Sequence, residues 1–223
     1  MAWNGRGRTA APAVSDAEAL DLGVRRAAAL RRPKTREVLW QWCKKLLGLH
    51  IPRVAVCPHH QAPFDFFASA YFEEHPSYLV LASRGGGKTW LLAGLHHLNS
   101  ETKPGCWTFH VGAVGEQASR CYDRASTTVR FPWFAEDLKQ EPLMSETRFT
   151  NGSLIEIATG TVAAVSGPHS QMLAFDEVEE ARPEALEHAK AIPRTLTARP
   201  DGTPLAEPIP AQVIYASTRH VAG

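Results

Sequence analysis

No stretch constrains this chain more than Tyr78-Leu-Val-Leu-Ala-Ser-Arg-Gly-Gly-Gly-Lys-Thr89. An apolar run leads into three glycines, and an apolar segment follows from Trp90, so the spacing predicts a buried strand, a tight turn and a helix opening at Lys88-Thr89. Gly85, Gly86 and Gly87 let the backbone take positive φ, which turns successive N–H groups inward toward phosphate oxygens. The helix that follows presents the positive end of its dipole to the same anion. Lys88 is placed to reach the β- and γ-phosphates, and the Thr89 hydroxyl to ligate Mg²⁺. Ala82 stands where the G-x-x-x-x-G-K-[ST] pattern has its first glycine; the three glycines nearer the phosphates carry the cradle.

The 223 residues suffice for one large domain, or a domain with an appendage, and a hydrophobic fraction of 44% is ordinary for a chain that buries a core. Lys+Arg 24 against Asp+Glu 23 leaves the chain nearly neutral, so overall charge does not mark a nucleic-acid binder. No apolar run is long enough to cross a bilayer and the start has no signal-peptide core, which gives a cytosolic protein as the expectation. Cys43, Cys57, Cys106 and Cys121 show no C-x-x-C spacing and suit a reduced compartment. Cys57-Pro-His-His60 with Cys43 is too irregular a set to read as a zinc site.

Residues 1–14 are small, polar and proline-bearing, the composition of a disordered leader. A helix is expected over Asp16–Arg32, capped by Ser15 and stopped by Pro33; a second runs from a Thr35 cap to Leu47 and ends at Gly48. Both are rich in Arg and Lys, which suits a docking surface for DNA or a partner as well as an ordinary solvated face. Residues 1–48 read as an appendage and 49–223 as the main domain. Ala62–Glu74 is a further helix with an aromatic face, Cys106–Gly112 a strand, and Gly115–Arg130 a helix. Thr147–Ile157 is a hairpin turning on Asn151-Gly152 in a type I′ turn. Gln171–Phe175 is a buried strand, Pro183–Ala191 helical, Arg199–Pro204 a turn-rich loop, and Ala211–Tyr215 a last strand.

Strands alternating with helices predict a mostly parallel sheet flanked by helices, an α/β fold with its ligand at the carboxyl ends of the strands. Three groups fall there: Ser83–Thr89, Asp176-Glu177, and Ser217-Thr218. Asp176, closing an apolar strand downstream of the glycine loop, is suited to hold Mg²⁺ near Thr89. Glu177 adds a carboxylate able to orient and deprotonate a water attacking a γ-phosphate. Ser217 and Thr218 can hydrogen-bond to Glu177 and report the γ-phosphate to a moving segment.

These residues bring the chain to a family. Ser83-Arg-Gly-Gly-Gly-Lys-Thr89, Phe149-Thr-Asn-Gly-Ser-Leu-Ile155, Gly167 and His169 before Leu173-Ala-Phe-Asp-Glu177, and Ala216-Ser-Thr218 together resemble the ATPase domain of the large terminase subunit of tailed bacteriophages, over roughly residues 57–218. The resemblance implies a P-loop NTPase fold of the additional-strand, catalytic-glutamate type, binding ATP with Mg²⁺. Arg84 then matches the basic residue that the family carries before its glycines, and Glu177 the catalytic carboxylate. Asp176 matches the metal acid, and Ala216-Ser-Thr218 the coupling motif. An adenine-binding segment is implied upstream of the loop, for which Gln61, Pro63 and Phe64 are the candidates. A trans-acting arginine is implied too, with Arg148, Arg182 and Arg194 all open.

The implied partners are double-stranded DNA, a portal protein, a small terminase subunit and further copies of the chain in a ring, acting in the host cytoplasm. Large terminases continue past the coupling motif into a nuclease domain. This chain ends at Gly223, so no nuclease activity is expected of it and it reads as a fragment. A helicase-like nucleic-acid ATPase shares the same elements, and a nucleotide-binding assembly module with little turnover is the alternative from another class.

Overall fold

A computed structural model describes residues 16–113, 115–161 and 169–218. The expected leader, the Ser15 cap and Gly167 lie outside these residues. Two helices come first: α1 (Asp16–Ala29) and α2 (Arg36–Trp42), the latter running into a π-helical turn, Cys43–Leu47. Then come α3 (Pro63–Tyr71), β1 (Ser77–Ala82), α4 (Lys88–Thr102), β2 (Trp107–Gly112) and α5 (Gly115–Thr128). The chain continues with β3 (Glu146–Arg148), β4 (Leu154–Thr159) and β5 (Met172–Asp176). It closes with α6 (Pro183–Ala189), β6 (Leu196–Ala198), β7 (Pro204–Ile209) and β8 (Gln212–Thr218).

Six strands form one sheet in the order β1-β8-β5-β2-β4-β3, all parallel except the β3–β4 hairpin. Its two faces are written in the side-chain alternation of the strands. Along β5, Met172 and Ala174 face the core shared with the first helices, whereas Leu173 and Phe175 join Phe109, Val111 and Ala185 on the other side. The larger core takes Leu39, Trp42 and Leu46, Phe67 and Tyr71 from α3, and Leu92, Leu95 and Leu98 from α4. Each fully buried leucine there contributes about 1.5–3 kcal/mol. α2 and its π turn share this core with α3 and α4.

Several expectations shift in detail. α1 stops at Ala29 rather than Arg32, since Pro33 biases the residue before it away from helical ψ. Thr35 caps α2 as expected, its hydroxyl accepting the Val38 N–H at 3.2 Å, but the helix widens into π geometry before Gly48 ends it. The β3–β4 turn is not type I′. That type needs positive φ at both central residues, and only Gly152 (φ 83) has it, with the Gly152 N–H donating to the Phe149 carbonyl at 3.1 Å. Residues 199–203 do turn, but between two strands: β6 and β7 pair as a separate antiparallel ribbon. The last strand runs three residues further than expected, taking Ala216, Ser217 and Thr218 into the sheet.

Candidate active site at the strand ends

The strand order decides where chemistry can occur. β8 lies between β1 and β5, so the glycine loop after β1 and the acidic pair at the end of β5 flank the end of β8. Register confirms the alignment: Ala82 is opposite Thr218, and Phe175 opposite Tyr215. Ala82 is thus the last residue of β1 rather than part of the loop, which is why a methyl is tolerated there.

Gly85 (φ 77) and Gly87 (φ 85) are left-handed, a conformation costly to other residues. Gly86 is needed for a different reason. Its N–H donates to the Ser83 carbonyl at 2.9 Å, and a Cβ on it would stand 2.9 Å from that same oxygen. Gly87 caps α4, and the first helical residue is Lys88, whose side chain is buried beneath the loop. Ser83 and Arg84 are exposed at the loop's rim, and Thr89 is half-buried.

Lys88 Nζ donates to Glu177 Oε1 at 3.2 Å and also contacts Thr218 Oγ1. The Thr218 hydroxyl donates to Glu177 Oε1 at 2.7 Å, and its backbone N–H is shared between Glu177 Oε2 and Glu179 Oε1, each at 3.1 Å. Glu177 itself is left-handed (φ 52, ψ 54), a strained backbone for a glutamate at a cost of about 1–2 kcal/mol. The strain turns the chain sharply out of β5 and holds the carboxylate over the end of β8. Ser217, the next residue back along β8, is buried.

Asp176 is 4% exposed, and its Oδ1 accepts the Glu177 N–H at 3.1 Å. Burial pushes its carboxyl up to about 6; the charge of Lys88 opposes the rise, and Glu177 adds to it. A carboxylate that costly to ionise gains most from a cation beside it, so Asp176 fits a metal ligand, with the Thr89 hydroxyl as a second donor.

A cleft of about 430 Å³ opens over these groups, walled by the loop, Glu177, Glu180, Thr218 and α5. Sequence reasoning missed three of its residues, Trp90, Arg120 and Arg124. Trp90 lines it, and the Arg124 guanidinium lies 4.3 Å over the Trp90 ring, its Nε buried without a hydrogen-bond partner. Such an orphaned charge-bearing donor, aligned by a cation–π contact in a cleft of this kind, suits an anionic ligand. Arg120, one turn earlier on α5, pairs with Glu116 instead. The signal in the sequence was two arginines four apart on a helix following the second strand, which alone cannot tell cleft from solvent.

A second, more apolar cleft of about 340 Å³ shares Gly86, Gly87 and Trp90 with the first and reaches Leu49, His50, Ile51 and Pro63. Of the three adenine candidates, only Pro63 borders it. Gln61 is exposed and lines neither cleft, and Phe64 is spent in the core, its N–H donating to the Pro52 carbonyl. Pro63 opens α3, which directs Phe64 inward and leaves Gln61 on the loop before it. Arg148 is paired with Glu146 and Arg194 bonds His169, while Arg182 is exposed before α6; none lines the cleft. Cys43 is buried, and Cys57 Sγ lies 2.7 Å from His60 Nδ1. Among the described residues, His96, His110 and Cys121 have their ligand atoms within 4.8 Å. Burial keeps both imidazoles neutral and the thiol protonated, and His96 and His110 hydrogen-bond each other at 3.2 Å as packed core.

The sequence matches no protein-family model and no curated protein. The architecture does have likenesses. The large terminase of bacteriophage HK97 aligns with a TM-score of 0.55 at 16% identity, over 78% of this chain and 37% of that one. The ATPase domain of the Thermus phage P74-26 large terminase aligns with a TM-score of 0.53 at 14% identity, over 87% of this chain and 72% of that one. The fold is that of phage large-terminase ATPase domains. Within it, the expected parallel sheet and the added strand β8 between β1 and β5 are present. No helix among the described residues is long and apolar enough to cross a membrane.

Proposed function

We propose that this chain is the ATP-hydrolysing motor domain of a viral DNA-packaging terminase, coupling Mg²⁺-ATP hydrolysis to movement of double-stranded DNA into a procapsid. The observation that carries the proposal is the contact of Lys88, Glu177 and Thr218 at neighbouring strand ends, beside a loop of three glycines. The loop N–H groups and the start of α4 would receive the β- and γ-phosphates of ATP, and Arg84, Lys88 and Arg124 would neutralise them. Mg²⁺, held by Thr89 and Asp176, would supply further charge neutralisation.

Lys88 has two competing partners in this scheme. Its ammonium now holds Glu177 and Thr218; phosphate oxygens would draw it away. Glu177 then keeps the Thr218 N–H as an orienting donor and has Oε1 available to take a proton from the attacking water. Thr218 loses Lys88 in the same exchange. Ser217 and Thr218 therefore transmit the presence of the γ-phosphate into β8. The base and ribose would occupy the apolar cleft beside Trp90, and Gln61 has no place in this arrangement.

Double-stranded DNA, a portal protein, a small terminase subunit and a ring of further copies in the host cytoplasm are the partners that this reading entails. Its test is Mg²⁺-ATP turnover across a series of protein concentrations, with and without linear double-stranded DNA. Turnover per subunit that rises with concentration, because neighbours complete the site, and rises again with DNA supports the motor. No turnover at any concentration with DNA present would refute it. The magnitude at stake is large, since a trans-acting arginine is worth about 10³–10⁵ in rate.

A further inference from the structure

A groove larger than the cleft at the strand ends lies among the first helices. About 1050 Å³ opens between α1 and the α2–π segment, above the roughly 300–1,000 Å³ of small-molecule clefts. Both walls are helical, and each offers a stripe at helical spacing: Val24, Ala27 and Ala28 from α1, with Arg31 just past its end, and Val38, Trp42 and Lys45 from the other. Val24 is 60% exposed and Val38 51% exposed, so apolar surface lines a trough that nothing among the described residues fills. Leu46 and the Trp42 ring lie at its floor, with Trp42 Nε1 buried and unpartnered. Two amphipathic walls with an apolar floor have the shape into which the apolar face of a helix packs.

The walls are fixed in place. Arg25, itself at the groove's border, donates to the Lys45 carbonyl at 2.8 Å and lies 4.8 Å over the Trp133 ring, and Arg26 pairs with Glu136 at 3.0 Å. The rim is basic. Arg31, Lys34 and Lys45 border the groove with no acidic partner among the described residues, and Asp21, the one acid among its described lining residues, is paired with Arg25.

We propose that this groove docks an amphipathic helix of a partner protein whose polar face is acidic. The basic rim matches an acidic helix better than residues 1–15, which carry Arg6 and Arg8 and no acid. An apolar floor is likewise a poor match for duplex DNA, whose outer surface is phosphate and sugar. A helix with leucines at i, i+3, i+4 and i+7 and glutamates elsewhere matches floor and rim together.

The test uses the full chain and a fluorescein-labelled synthetic peptide of that leucine–glutamate pattern, read by fluorescence anisotropy. Two control peptides share its composition: one with the leucines scrambled off their face, one with lysine for every glutamate. The expected result is saturable binding of the first peptide, at least about tenfold tighter than either control. Combined reversal of Arg31, Lys34 and Lys45 to Glu should weaken it by about tenfold, the effect of three exposed ion pairs. Val24→Asp should weaken it too, with circular dichroism showing both variants folded. Equal binding of patterned and scrambled acidic peptides would overturn the groove, leaving only a basic surface. Displacement of the peptide by a short DNA duplex, with the charge reversals abolishing duplex binding, would overturn it in favour of a nucleic-acid surface. Concentration-dependent self-association that blocks the peptide would reassign the groove to a second copy.

Discussion

Replacing Asp176 with Asn should make the protein more stable while removing its activity. Burial raises this carboxyl from 3.8 to about 6, so at neutral pH the fold carries an ionised group that it would hold more cheaply protonated. At about 1.4 kcal/mol per tenfold, the rise is worth about 3 kcal/mol. The sign follows from linkage. A raised carboxyl contributes stability that is fully present below the unfolded value near 3.8 and is lost as pH climbs through about 6. Asn keeps an oxygen for the Glu177 N–H and has no charge to lose. Its advantage is thus greatest above pH 6 and fades toward pH 4. Its amide protons need partners in a buried site, which trims the gain to about 1–3 kcal/mol. Urea unfolding at pH 5, 6, 7 and 8 in the absence of nucleotide and Mg²⁺ measures it, read as a change in midpoint at constant m-value. An Asp176→Asn variant equal to or less stable than the parent at pH 8, or a difference that does not vary with pH, would refute the reasoning.

Turnover should carry a limb from the same group: if Asp176 must be ionised to hold Mg²⁺, the rate falls about tenfold per pH step once the pH is below about 6, and excess Mg²⁺ shifts that limb to lower pH. Gly86→Ala should weaken nucleotide binding by at least about tenfold and destabilise the fold by about 1–3 kcal/mol, since its Cβ meets the Ser83 carbonyl; binding of a fluorescent ATP analogue and urea unfolding report the two. Arg124→Ala should reduce ATP affinity by about tenfold at unchanged stability, with Arg124→Lys recovering part, as expected when a charge-assisted donor is lost from an open cleft; isothermal titration measures it.

Much of the arrangement was legible in the sequence where one local rule decides the outcome. Three glycines before Lys88 admit few backbone paths, and four apolar residues running into Asp176 read as a buried strand with its polar residue at the carboxyl end. The unbroken apolar run from Met172 to Phe175 then places the strand between two layers. What was not legible depends on partners distant in sequence. The β6–β7 ribbon contains Pro204 and Pro208 and polar residues, so its pairing shows in no propensity. β8 extends to Thr218 because β1 lies beside it in register, which residues 212–218 cannot reveal alone. Gln61 was a hydrogen-bonding residue in the expected stretch, but the helix start at Pro63 leaves it in solvent. Arg124 carries no motif; only the stacking of α5 beside the glycine loop brings it over Trp90.

The central claim is that Glu177 takes the proton of the attacking water while the loop and Lys88 bind the phosphates. The most direct measurement is Mg²⁺-ATP turnover and ATP binding by the parent and Glu177→Gln side by side, at a protein concentration where the parent turns over. The account predicts turnover lost by at least about a hundredfold in the variant, with ATP affinity unchanged or tighter because Lys88 loses its ionic partner. A variant that hydrolyses ATP at the parental rate would contradict it.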